Sequence, residues 1–116
     1  MDTYNLRQRQ PRIKNKAHCE FIRKLPCCIC HNPIETQCAH LRFSDAASGK
    51  VNAGVGAKPS DWYTVPLCQD CHSSQHNMGD ERAFWELAGF DPLALAAKLY
   101  AVSGNHELGC EIIGKL

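Results

Sequence analysis

A small α+β domain is the fold class that this 116-residue sequence predicts, on three observations. Two segments, residues 36–43 and 62–67, are apolar, β-prone and short. Beyond residue 71, several stretches combine capping residues with apolar positions at helical spacing. Two cysteine pairs, Cys27/Cys30 and Cys68/Cys71, share C-x-x-C spacing, and two such knuckles can close one tetrahedral zinc site. The length suits one domain with a modest core, for which a bound metal is a useful staple.

The elements follow in order. Residues 1–17 are polar and basic, contain Pro11, and read as a flexible arm. A main domain over 18–103 opens with a short helix at 18–25, stopped by Pro26. Residues 27–43 suggest two short strands around a turn: the Cys27–Cys30 knuckle, the turn at His31-Asn32-Pro33, and a strand-like 36–43. Residues 44–61, with Gly49, Gly54, Gly56 and Pro59, form a long loop of the kind that usually serves function. The strand at 62–67 leads into Cys68, and a helix starts near Cys71. Asp80-Glu81 opens the next helix, with Phe84, Leu87 and Ala88 on one face. Asp91-Pro92 opens another, with Leu95, Leu99 and Val102 on one stripe. Gly104 stops it, and residues 104–116 read as a tail.

No apolar run approaches membrane-spanning length, so no membrane partner is expected. The first residues lack the apolar core of a secretion signal, which points to the cytoplasm. Eight cysteines in a reducing compartment then argue for metal rather than disulfides. Cys19, Cys28, Cys38 and Cys110 are surplus to the two pairs and are expected to pack as small apolar residues. The formal charge of +1 hides an asymmetry: residues 1–24 carry seven Lys/Arg against two Asp/Glu, the remainder six against ten. A basic arm on a slightly acidic body suits nucleic-acid phosphates, though a solvated terminus would look the same.

The candidate chemistry clusters around the knuckles. Cys27, Cys30, Cys68 and Cys71, with 37 residues between the pairs, are expected to hold a structural zinc. Using Cys28 in place of Cys27 would give up the favourable spacing. On a helix, His72 and His76 at i and i+4 share a face and can grip one divalent metal, as the histidines of H-E-x-x-H do. The alternatives are two exposed polar residues, or one histidine substituting for a cysteine. Cys71 lies about 100° around the helix from His72, so the two sites need not compete. By strand alternation His40 and Arg42 face one side, opposite Ala39, Leu41 and Phe43, an arrangement that fits a water-activating base beside a phosphate clamp. Asp61 can serve as a hard oxygen ligand for magnesium or manganese, or can orient a histidine. Lys50 and Lys58 can reach phosphates from the same loop.

These motifs, taken in order, resemble the HNH nucleases, a superfamily with the ββα-metal (His-Me finger) fold, in the form that carries a structural zinc on four cysteines. Ala39-His40-Leu41-Arg42, Lys58-Pro59-Ser60-Asp61-Trp62 and Val65-Pro66-Leu67-Cys68-Gln69-Asp70-Cys71-His72 are similar to the Ref-type branch of phage and prophage nucleases, and His76, Gly79-Asp80-Glu81 and Phe84-Trp85 continue the likeness over roughly residues 19–100. The resemblance implies a zinc-stabilised ββα-metal domain with added C-terminal helices that acts as a metal-dependent DNA endonuclease in phage recombination or DNA processing. It implies His40 as general base, His72, His76 and Asp61 around a catalytic Mg2+ or Mn2+, and Arg42 nearby. Implied partners are DNA, including single strands and recombination intermediates, and a recombinase filament in a bacterial cytoplasm. Two features depart from the pattern: Ala39 stands where many HNH enzymes place a metal ligand before the base, and the middle Asn is not evident, with Tyr63 and Thr64 in that neighbourhood.

The alternative reading is a non-catalytic zinc module that binds DNA or a recombination protein. Haem attachment at Cys68-Gln69-Asp70-Cys71-His72 leaves the other knuckle unexplained. A thiol redox enzyme would need a thioredoxin-like βαβ pattern, which is not present.

Overall fold

Asn15 starts the ordered architecture by capping a helix: its side-chain oxygen accepts from the His18 N–H at 3.0 Å. In this computed structural model, which describes residues 13–43 and 59–116, helix α1 runs Lys16–Arg23. Of the expected arm at 1–17, residues 1–12 lie outside the described residues, while Ile13 and Asn15 are tied to the body. The Ile13 N–H donates to Ser60 Oγ at 2.9 Å, and the Ile13 carbonyl accepts from the Asp61 N–H at 2.8 Å. The expected loop at 44–61 is described only from Pro59, so Lys50 and Lys58 fall outside the described residues.

Strand β1, Thr36–His40, pairs antiparallel with β2, Thr64–Cys68, in the register Gln37↔Leu67 and Ala39↔Val65. The expectation of two strands within 27–43 is corrected here. Cys27–Cys30 is a turn whose backbone bonds locally, Cys27 N–H to the Asn32 carbonyl and His31 N–H to the Cys27 carbonyl, both at 2.9 Å. With those groups engaged, the segment has no ladder to offer a partner. It instead docks on the outer edge of β2, where the Cys28 N–H donates to the Pro66 carbonyl at 2.9 Å. A strand residue's N and O point to the same side, so Pro66 faces away from β1 and its missing N–H costs no ladder bond.

Helix α2, Gln69–Met78, follows β2 without a loop. It starts two residues before Cys71, earlier than expected, because the Cys68 sulfur caps it by accepting from the Cys71 N–H at 3.5 Å. Gly79, at φ +80°, ends it in the left-handed region that favours glycine. Helix α3, Glu81–Ala88, is capped by Asp80 as anticipated. Its buried face is not the expected one. Trp85 is buried and Phe84 and Ala88 flank it, whereas Leu87 is 78% exposed. The Trp85 indole N–H donates to Glu81 Oε2 at 3.2 Å, which holds that residue inward. Helix α4, Pro92–Ala101, buries Leu95 and Leu99 as its periodicity demands.

The stretch 104–116 is not a tail. Asn105 caps a further helix, α5, His106–Gly114, by accepting from the Leu108 N–H at 3.2 Å. Gly109 lies where an added Cβ would come 2.8 Å from Leu25 and 2.9 Å from Phe21, so a glycine is what allows α5 to approach α1. His18, fully buried on α1, bonds through Nδ1 to Ser103 Oγ at 2.7 Å, tying the same two ends together.

The core is formed by Ile22 and Leu25 from the α1 region, Leu41 just beyond β1, Val65 and Leu67 from β2, and Leu99 and Ile113 from the last helices. Every β2 residue is buried, since the strand is packed by α1, α2 and α4. Replacing Ile113 (1% exposed) with alanine should cost about 2–5 kcal/mol in chemical denaturation. A dangling tail would show no change. No helix among the described residues is long and apolar enough to cross a membrane.

Candidate active site and metal centre

The four expected zinc ligands converge. The sulfurs of Cys27, Cys30, Cys68 and Cys71 all lie within 4.8 Å of one another, and Cys30 and Cys68 approach to 3.6 Å. One knuckle is a turn and the other bridges β2 into α2, so the cluster pins the start of α2 to the turn after α1. The Cys27 sulfur accepts from the Ile29 N–H at 3.4 Å. Burial pushes the Cys27 thiol up, but the backbone N–H groups around it win and hold it below its ordinary value. Burial and the neighbouring sulfurs raise Cys71. Four thiols in one small volume repel as thiolates, and a divalent cation removes that repulsion. All-sulfur donors at this spacing suit zinc. Cys28 stays out of the cluster, 2% exposed and packed in the core, with burial raising its thiol.

His40, at the end of β1, is joined to Asp61 by a hydrogen bond from Nε2 to Oδ1 at 2.7 Å. Asp61 is 6% exposed, and its other oxygen accepts from the Asn15 N–H at 2.7 Å. Its own carbonyl accepts from Thr64 Oγ1 at 2.7 Å, fixing the approach to β2. A buried carboxylate held this way keeps the imidazole in the tautomer with its proton on Nε2 and its lone pair on Nδ1.

His72 and His76 share one face of α2, their ring centroids 4.6 Å apart. His72 donates from Nδ1 to Gln37 Oε1 at 2.6 Å, which leaves the lone pair of the neutral ring on Nε2. Burial lowers the pKa of His72, and the nearby charges of His76, Arg42 and His40 lower it further. These four side chains therefore occupy one electrostatic neighbourhood. Arg42 is exposed just beyond β1, its N–H donating to Glu81 Oε1 at 3.0 Å. The alternation expected at 39–42 is present, with Ala39 and Leu41 buried and His40 and Arg42 more exposed.

Asp61 is not brought to His72 and His76. Among the described residues its donor group is with His40 and Cys19, whose ligand atoms lie within 4.8 Å of one another. Of the two uses expected for Asp61, the contact the structure gives is the one to His40. Three participants were missed in the sequence: Asn15, Gln37 and Cys19. Gln37 lies on the same side of β1 as Ala39, but nothing in one sequence singles out a strand glutamine whose acceptor reaches a helix. Removing it by Gln37→Ala should weaken divalent-metal binding or activity at His72 by about 10–100-fold, as loss of an orienting partner does. Metal titration by calorimetry checks this, with helix content by circular dichroism as control.

A family model described as a protein of unknown function (DUF968) matches residues 2–103. No curated protein and no solved structure shows a significant match.

Proposed function

Because the chain belongs to the DUF968 family, whose function is unknown, we propose an activity from its own residues: metal-dependent hydrolysis of DNA phosphodiester bonds, by an HNH-like endonuclease of the kind associated with phage recombination. The observation that carries this reading is the His40–Asp61 pair, 2.7 Å apart, beside a helix that presents His72 and His76. The succession of β1, β2 and α2 is the order that a ββα-metal fold requires, and the four cysteines anchor the junction of strand and helix.

With Nε2–H held by Asp61, His40 accepts a proton from the attacking water at Nδ1, and the Asp61 carboxylate stabilises the imidazolium that forms. The water oxygen bonds to phosphorus as the bond to the leaving ribose oxygen breaks, and that oxygen takes a proton from solvent. Arg42 adds positive charge on the side where the phosphate would lie. His72 and His76 would hold the divalent cation, Mg2+ or Mn2+, and Gln37 fixes which nitrogen of His72 faces it. When bound, that cation stabilises charge on the phosphate and the leaving oxygen.

The test is incubation of purified protein with single- and double-stranded DNA in magnesium or manganese, with and without recombinase filaments. Metal-dependent cleavage that a chelator of the second metal abolishes supports the nuclease. Inactivity across all DNA forms, metals and filaments, with DNA binding intact, supports the non-catalytic zinc module instead.

A further inference from the structure

Cys19, His40 and Asp61 form a second donor cluster, apart from the four cysteines. One sulfur, one nitrogen and one carboxylate oxygen lie within 4.8 Å of one another. They come from α1, the end of β1 and the approach to β2, so tertiary structure rather than local sequence assembles them. Cys19 is 7% exposed and Asp61 6%. Cys38 lies two residues before His40, on the same side of the strand. A second thiol therefore projects from the same side of β1 as His40.

The nuclease reading has no use for a thiol here. A packing role asks only for a small apolar side chain, yet this sulfur abuts an ionisable pair. Thiolate and imidazole are poor ligands for magnesium, which prefers oxygen, but good ones for zinc and cobalt(II). Three protein ligands of mixed S, N and O type with a fourth position left over is a pattern that zinc accepts. We propose that Cys19, His40 and Asp61 bind a soft divalent cation, zinc foremost, and that its binding silences the His40–Asp61 pair.

The silencing half rests on the nuclease reading; the binding half does not. Binding sends the Cys19 proton to solvent. The His40 nitrogen that now faces Asp61 becomes a ligand, the ring keeps its single proton on Nδ1, and no lone pair remains to accept a proton from water. A cation that fits the thiol cluster therefore opposes one held by the α2 histidines.

The test starts from protein containing one zinc per chain and adds cobalt(II). A thiolate-to-cobalt charge-transfer band that saturates at one equivalent per chain is expected while the zinc content is unchanged, whatever cobalt the α2 histidines take up without such a band. Cys19→Ser should lose that band and Cys110→Ser should keep it. An undiminished band in Cys19→Ser, or no such band in the parent protein, overturns the site. For the silencing half, the readout is the ratio of DNA cleavage in magnesium without and with zinc. At zinc about tenfold above its Kd, that ratio should be about ten in the parent protein and near one in Cys19→Ser. Cobalt binding without zinc inhibition of an active enzyme overturns the silencing. If no form of the protein cleaves DNA, the nuclease reading falls and the cobalt titration still decides the site.

Discussion

Replacing Cys68 with serine should remove the zinc and unfold the domain. Cys68 ends β2, caps α2 and contributes one of the four converging sulfurs. Structural zinc on such ligands contributes roughly 10–16 kcal/mol of apparent binding free energy, while a domain's whole stability is only about 5–15 kcal/mol. The loss of one ligand is thus comparable to the full margin. Elemental analysis should fall from one zinc per chain toward none, with loss of cooperative thermal unfolding. A strong chelator should do the same to the parent protein. The control is Cys28→Ser, at the neighbouring position but outside the cluster, which should keep its zinc. Retention of a full equivalent by Cys68→Ser would show that the four sulfurs are not the site.

His40→Ala should reduce DNA cleavage by roughly a hundred- to ten-thousand-fold, the usual scale for loss of a general base. DNA affinity should barely change, because the substitution removes a proton acceptor and not a phosphate contact. Asp61→Asn is expected to fall between parent and His40→Ala, since it removes the charge that stabilises the imidazolium while keeping an acceptor oxygen near Nε2. Single-turnover cleavage of a labelled duplex, with unfolding midpoints for each variant, separates chemistry from stability. Unimpaired cleavage by His40→Ala would end the case for this base.

Much of this architecture is legible in the sequence where the signal is local. The paired C-x-x-C spacing selects the four converging cysteines, including Cys27 over Cys28, because the bite of a knuckle depends on residues three apart. The Asp80 and Asp91 caps and the Leu95/Leu99 stripe are likewise short-range. Failures came where a choice was made by tertiary contact. In α3 the pattern alone does not say which apolar residues turn inward, and the bond from Trp85 to Glu81 leaves Leu87 outside. Residues 105–114 mix charges with apolar positions, so only the Asn105 cap and Ile113 hint at a helix there. Gly109 looks like a breaker until α1 is placed against it.

The candidate site divides in the same way. His40, Asp61, His72 and His76 stand out as residue types at suggestive spacings, and the structure brings His40 and Asp61 to 2.7 Å. Its pairing with Cys19 instead of the α2 histidines depends on how α1 lies over the sheet, which no spacing encodes. Gln37 and Asn15 act through one hydrogen bond each, from an ordinary-looking strand residue and a backbone N–H.

The contact of α1 with the far end of the chain has a consequence for the order of events on the ribosome. All four clustered cysteines have been synthesised once residue 71 is made, so the metal can be captured by a nascent chain that still lacks its last three helices. Phe21, Leu25 and His18 must wait longer, since the surfaces that cover them belong to Ser103, Gly109 and Ile113. Distant contacts of this kind form late and leave apolar surface exposed in the interval. The captured ion would then act as an early clasp, holding the strands in register until the final helix closes over the first.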